Sequence, residues 1–296
     1  MTSIRELKNT ARELLQSGQV RCVIGYESGP RGRTRPAFIY STEDVERLIW
    51  DQSCTHNLSV YLKDALKTAK KGEQDESPRC VALVAKPCDS RAINVLIAEN
   101  QFEREQVHVI GMMCDGIVET NSNGSNVANY QRRCLHCNLE EPVVYDSLIG
   151  ERKGSIPTLQ GELTDELAHL QAISAGERAE FWLEQFDRCI RCYACRQVCP
   201  MCNCPTCLYE RDDSVWVGMQ IEVNQKRSFH LGRAYHLAGR CVGCNECERV
   251  CPMDIPISLL NQVLAKEVET VFGTRAGMDT RPSPLVTVLS GEEHGI

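Results

Sequence analysis

Two cysteine runs carry the densest chemistry of this sequence: Cys189-x-x-Cys192-x-x-Cys195-x-x-x-Cys199-Pro200 and Cys241-x-x-Cys244-x-x-Cys247-x-x-x-Cys251-Pro252. Two-residue gaps let three successive thiolates wrap the corners of one cubic iron–sulfur cluster. In paired runs of this spacing the fourth thiolate reaches across to the other cluster. The expected sets are therefore Cys189, Cys192, Cys195 and Cys251 for one [4Fe-4S] cluster, and Cys241, Cys244, Cys247 and Cys199 for the second. The proline after each fourth cysteine cannot extend a helix and turns the chain away. Zinc is the competing reading, because C-x-x-C pairs also build tetrahedral zinc sites. Zinc needs only two such pairs, and leaves a third cysteine and a Cys-Pro at matching offsets, twice, without a role.

Between the runs, Cys202-x-Cys204-x-x-Cys207 offers three close thiols. They read either as part of an additional metal site completed from elsewhere or as lining of the cluster environment. Upstream, Cys88 follows Lys86-Pro87 at the end of an apolar strand, and Cys114 follows the next strand. Adjacent parallel strands end on one sheet edge, where α/β proteins bind ligands. Cys88 and Cys114 are thus expected as neighbours, and with Cys134-x-x-Cys137 they make a third four-thiolate site. A third [4Fe-4S] cluster is the leading reading there, with structural zinc or unrelated buried thiols as alternatives. Cys22, Cys54 and Cys80 stand alone and read as packing residues. His136 reads as an outer group of the third site or as a packed histidine. Gly25, Gly29 and Gly32 with Arg31, Arg33 and Arg35 follow a strand and read as a phosphate or flavin-nucleotide cradle or a surface loop, although they form neither a G-x-G-x-x-G nor a P-loop. Lys86 adds positive charge beside Cys88.

The elements that must position these groups follow from periodicity. Residues 3–16 carry a helical apolar stripe, residues 20–24 and 37–40 read as short strands, and Ser41-Thr42-Glu43-Asp44 as a capping box opening a helix through Trp50. Leu58–Ala69 reads as a helix. Cys80–Ala85 is a continuous apolar run of the kind buried parallel strands show, followed by a helix over Arg91–Glu99 and a second strand at Val107–Gly111. Strand, helix and strand in so short a stretch make a βαβ unit. Residues 121–126 read as a loop, and helices are expected at 163–172, 177–187 and 257–272. The fold class expected is an α/β N-terminal domain with a mostly parallel sheet, plus an α-rich C-terminal dicluster ferredoxin-like domain. The divisions are 1–150, a helical linker 151–188, the dicluster region 189–272 and a tail 273–296.

Composition narrows the function. The chain has 296 residues, 42% hydrophobic and 25% charged, as ordinary globular domains do. No apolar run approaches the ~18–20 residues of a membrane-spanning helix, and the first residues lack the apolar core of a signal peptide. Eighteen cysteines without a secretory signal point to metal in a reducing cytoplasm, not to disulfides. A net charge of −7 disfavours nucleic acid as the main partner.

At Lys86-Pro87-Cys88-Asp89, Cys114-Asp115-Gly116 and Cys134-x-x-Cys137, residues 20–150 resemble the β-subunit family of deazaflavin-reducing hydrogenases and formate dehydrogenases. Residues 185–260 look like the dicluster ferredoxin part of such iron–sulfur subunits. The resemblance implies an iron–sulfur electron-transfer subunit of a multi-subunit anaerobic oxidoreductase, with partner subunits of flavoprotein, hydrogenase, formate dehydrogenase or heterodisulfide-reductase type. It implies a cluster at Cys88, Cys114, Cys134 and Cys137. Family members often carry FAD, so a FAD-containing reductase exchanging electrons with a deazaflavin or nicotinamide is the alternative, held by Gly25, Gly29, Arg31 and Lys86. A non-catalytic module stapled by metal is a third reading.

Overall fold

The computed structural model describes residues 2–68, 80–120, 126–135, 137–151, 162–211, 217–218 and 220–285. His136, residues 121–125 of the expected loop and residues 286–296 of the expected tail lie outside them. The chain opens with α1 (Thr2–Gln16), then β1 (Val23–Ser28), β2 (Thr34–Ile39), β3 (Leu48–Ile49), α2 (Leu62–Thr68), β4 (Val81–Ala85), α3 (Pro87–Ala98) and β5 (Val107–Met112). A small ribbon of β6 (Val118–Thr120) and β7 (Asn126–Tyr130) leads to α4 (Arg132–Leu135) and β8 (Ser147–Ile149). Helices α5 (Glu162–Ala172), α6 (Ala175–Asp187), α7 (Ala194–Gln197), α8 (Val223–Leu237), α9 (Glu246–Arg249) and α10 (Ile257–Phe272) complete it.

The main sheet is mixed with mostly parallel strands, in the order β2-β1-β4-β5-β8. β1, β4, β5 and β8 run parallel, while β2 and β3 pair antiparallel with β1. All five residues of β4 are buried because the strand is covered on both faces. Its alternating side chains divide between two cores. Val81, Leu83 and Ala85 pack with Leu58, Leu62, Ile93 and Leu96, whereas Ala82 and Val84 pack with Leu7, Ala11 and Leu14 of α1. The first core continues into the cysteine-rich region through Met201, Leu237 and Val242. That shared apolar contact holds the cysteine runs against the carboxyl edge of the sheet.

The helix read at 257–272 is present with those bounds. Ser174 and Glu177 cap α6 reciprocally, Ser174 Oγ accepting from Glu177 N at 3.2 Å and Glu177 Oε2 from Ser174 N at 2.9 Å. Three local expectations are corrected. The helix after Ser41 is one 3₁₀ stretch, Glu43–Arg47, because Leu48 is drawn fully into the core and pairs beside β1. The expected helix from Leu58 begins as a 3₁₀ turn, Leu58–Tyr61, and becomes α-helical at Leu62. The helix expected from Arg91 starts at Pro87, since proline lacks only an N–H that the first turn leaves unpaired anyway.

Candidate metal centres

Three cavities each gather four or five thiols. The largest, about 330 Å³, lies at the carboxyl edge of the sheet and is lined by Cys88, Cys114, Cys134 and Cys137. Cys88 sits in the first turn of α3, Cys114 just beyond β5, Cys134 on α4 and Cys137 shortly after it. Burial pushes the Cys114 thiol up to about 12 and raises those of Cys88 and Cys134. Thiols so disfavoured as anions need a cation before they can act as ligands, and bound metal supplies it. Ile117 N already donates to Cys134 Sγ at 3.1 Å.

Three buried cations stand at this cavity, Lys86, Arg91 and Arg133. Lys86 is fully buried, with Nζ 3.0 Å from Asp89 Oδ2, and it donates to His56 O at 2.7 Å and to the Tyr26 hydroxyl. Burial pushes its ammonium down, but Asp89 and Cys88 outweigh that and keep it protonated. Arg133 donates to Cys244 O and to Glu246 Oε1, both at 2.9 Å. Lys86→Met should therefore leave Asp89 buried and uncompensated, at a cost of ~3–5 kcal/mol. Denaturant unfolding of the iron-loaded chain measures this. Adding Asp89→Asn should restore most of the loss, and a single-variant cost under ~1 kcal/mol would show that the pair is neutral.

The second cavity is lined by Cys199, Cys241, Cys244 and Cys247. The third is lined by Cys189, Cys192, Cys195 and Cys251, with Cys247 on its wall. Each thus brings three thiols of one run together with the fourth of the other. The two runs also repeat their backbone. Arg191 and Gly243, then Tyr193 and Asn245, take left-handed φ values of 51°, 70°, 59° and 49° at matching offsets. Each pair of turns leads into a four-residue helix, α7 or α9. The first turn aims Arg191 N at Cys189 Sγ, 3.3 Å away.

Arg233 of α8 is buried, donates to Cys195 O at 3.0 Å, and is held protonated against burial by Cys199, Cys247, Cys202 and Cys195. Burial lifts Cys195 to about 11, and Cys244 and Cys247 upward as well. Neither α8 nor its His230 and Arg233 is visible as a hydrophobic pattern in the sequence. The signal that could have found them is a spacing of buried residues at 226, 229, 230, 233, 234 and 237.

The remaining expected residues fall elsewhere. Cys202 lies beside Cys199, whose thiol its hydrogen bond draws down to about 6, while Cys204 is exposed and Cys207 half-buried. None of the three lines the cavities above. Cys22 and Cys54 are buried in the main core, their thiols pushed up by burial to about 11 and about 12. Gly25, Gly29 and Arg31 belong to a β-hairpin rather than a long loop. Gly25 is inside β1, where a Cβ would stand 2.6 Å from Leu48 Cδ2 and 3.3 Å from Val84 Cγ2. Its small size serves close packing. Gly29 and Arg31 form the tip, closed by Gly29 N donating to Arg33 O at 2.6 Å.

The donor sets suit iron–sulfur clusters. At least four thiols surround a space in each cavity, as the corners of a cube need.

Fold and site together define an iron–sulfur protein that joins a mixed sheet to a dicluster domain. A family model for the 4Fe-4S dicluster domain matches residues 185–255. Over 292 residues the chain is 24% identical to the F420-dependent formate dehydrogenase subunit beta of Methanocaldococcus jannaschii, covering 70% of this chain and 76% of that protein. It is also 24% identical over 337 residues to the F420-dependent formate dehydrogenase 1 subunit beta of Methanococcus maripaludis, covering 84% of each. Over most of its length the chain is thus similar to F420-dependent formate dehydrogenase beta subunits. Among the described residues no helix is long and apolar enough to cross a membrane.

Proposed function

We propose that this chain is an iron–sulfur electron-transfer subunit of an anaerobic, cytoplasmic oxidoreductase complex, holding three [4Fe-4S] clusters in series. The ligand sets are Cys189, Cys192, Cys195 and Cys251; Cys241, Cys244, Cys247 and Cys199; and Cys88, Cys114, Cys134 and Cys137. The observation that carries the reading is the sharing of walls. Cys241 lines both the largest cavity and the second, and Cys247 lines both the second and the third. The sites therefore form a row, with the sheet edge at one end and the solvent-exposed Cys192 at the other. Clusters supply one-electron storage. The protein's residues exclude water and place Lys86, Arg133 and Arg233 where positive charge favours the more negative reduced state.

The names of the relatives favour a formate dehydrogenase catalytic subunit as partner, ahead of a hydrogenase or a heterodisulfide-reductase-like assembly. One observation supports a second reading, a flavin-bearing reductase: the sheet-edge cavity has about 330 Å³ of space, against about 20 Å³ in each of the others. Four thiols alone do not account for that difference. Iron, acid-labile sulfide and flavin per chain, measured on protein purified without oxygen, test both readings. About 12 irons are expected. About 8 would confine clusters to the dicluster runs, zinc in place of iron would end the proposal, and one flavin per chain would establish the second reading beside the first.

A further inference from the structure

His230 of α8 is 3% exposed, and both of its ring nitrogens lack a hydrogen-bond partner within the protein. A neutral imidazole carries one N–H. Leaving a buried donor unpaired costs ~1–3 kcal/mol, so such a group implies an acceptor that the polypeptide itself does not provide. The ring is not free to turn away. It lies parallel to Phe186, 4.8 Å between centroids and 9° between planes, while Phe229 meets it at 5.0 Å and 67°. The same ring forms part of the wall of the cavity that gathers Cys189, Cys192, Cys195 and Cys251. The acceptors that this cavity would offer are thiolate and sulfide sulfur.

We infer that His230 donates its ring N–H to a sulfur of the cluster held by that set, and so raises the reduction potential of that cluster. The inference rests on the cluster reading above. A donor to sulfur stabilises the reduced, more negative state more than the oxidised one. The two cysteine runs share spacing and backbone turns, yet the second cavity has no histidine in its lining. There the side-chain donor is the Asn261 amide, 3.9 Å from Cys247 Sγ, a longer and weaker contact. His230 thus sets apart two sites that are otherwise repeats, and places the higher potential at the end of the row nearer solvent.

His230→Phe keeps a flat ring against Phe186 and removes the donor, whereas His230→Gln keeps a donor. Redox titration followed by electron paramagnetic resonance, on the full chain purified without oxygen, reads the effect. The signal of this cluster is identified by its loss in Cys251→Ser. His230→Phe should lower the ratio of reduced to oxidised cluster about tenfold at fixed potential, a shift of about 59 mV, with the other clusters unmoved. His230→Gln should recover most of the shift. An unchanged midpoint in His230→Phe with full iron content overturns the inference. Should both variants lose iron, wild-type protein labelled with nitrogen-15 histidine decides. Coupling of the reduced cluster to an exchangeable histidine proton supports the inference, and its absence overturns it. Wild-type chain that binds no iron would instead defeat the cluster reading, a separate and recognisable outcome.

Discussion

Cys251→Ser should empty the metal site of the other cysteine run, removing about four of the irons while leaving Cys241, Cys244 and Cys247 loaded. Cys251 lines the cavity of Cys189, Cys192 and Cys195, not that of its own run. Loss of the fourth thiolate exposes one corner iron to water, and a cubic cluster with an open corner in a solvent-exposed loop is labile. The comparison that decides is spectroscopic. The signal lost in Cys251→Ser should be the one lost in Cys189→Ser; a match to Cys241→Ser would show that each run holds its own cluster. Cys251 is a cleaner choice than Cys199, because Cys202 lies beside Cys199 and is placed to substitute for it. Stability should fall along with iron. Among the described residues the apolar cluster packed directly on these loops buries Ile255 and Ile257 besides two cysteines, with Phe229 on the cavity wall, so metal carries much of what holds the loops together. In small metal-stapled folds the metal supplies on the order of 10 kcal/mol.

The cysteine pattern was legible because ligand geometry imposes its spacing on the sequence directly, and the cavities group the thiols along the same lines. β4 and α10 were legible for a different reason: Val81–Ala85 is apolar throughout, and α10 buries Ile257, Leu259 and Val268 at helical spacing although Ser258 and Asn261 are buried among them. Helix α8 was not, since its buried face includes Lys226, His230 and Arg233. Those side chains find their partners far along the chain, Lys226 Nζ at Asp187 O and Arg233 at Cys195 O, so no local periodicity of hydrophobicity betrays the helix. The hairpin of β1 and β2 was obscured in the opposite way. Glycine and arginine between residues 25 and 35 read as loop, but Gly25 is small because Leu48 and Val84 press on it from the core. Both failures come from contacts made at long range, which composition within a window does not record.

The pairing of Arg133 with Glu246 is such a contact, and Glu246→Ala should cost ~3–5 kcal/mol, because it strands a buried guanidinium. The two side chains are 4% and 3% exposed, 2.9 Å apart, and Arg249 adds a second contact to Glu246 at 2.7 Å. Burial alone would raise the Glu246 carboxyl, but Arg133 and Arg249 overcome it and hold the group down at about 2. A folded value below the ordinary one means that the unfolded chain binds the extra proton. The stabilisation is then complete above about pH 4.5 and fades as pH falls toward 2. The cost of Glu246→Ala should accordingly be the same at about pH 6 and about pH 8; a cost that varied over that range would mean the carboxyl is protonated. The consequence for the metal sites follows from where the pair sits. Arg133 precedes Cys134, a thiol of the sheet-edge cavity, while Glu246 precedes Cys247 of the second cavity, and Arg133 also donates to Cys244 O. One ion pair therefore fixes the wall between two neighbouring sites. Its removal should loosen iron at Cys88, Cys114, Cys134 and Cys137 before it touches the far set at Cys189, Cys192, Cys195 and Cys251, and iron release to a chelator in the Glu246→Ala chain, followed by the loss of each signal in turn, measures that order.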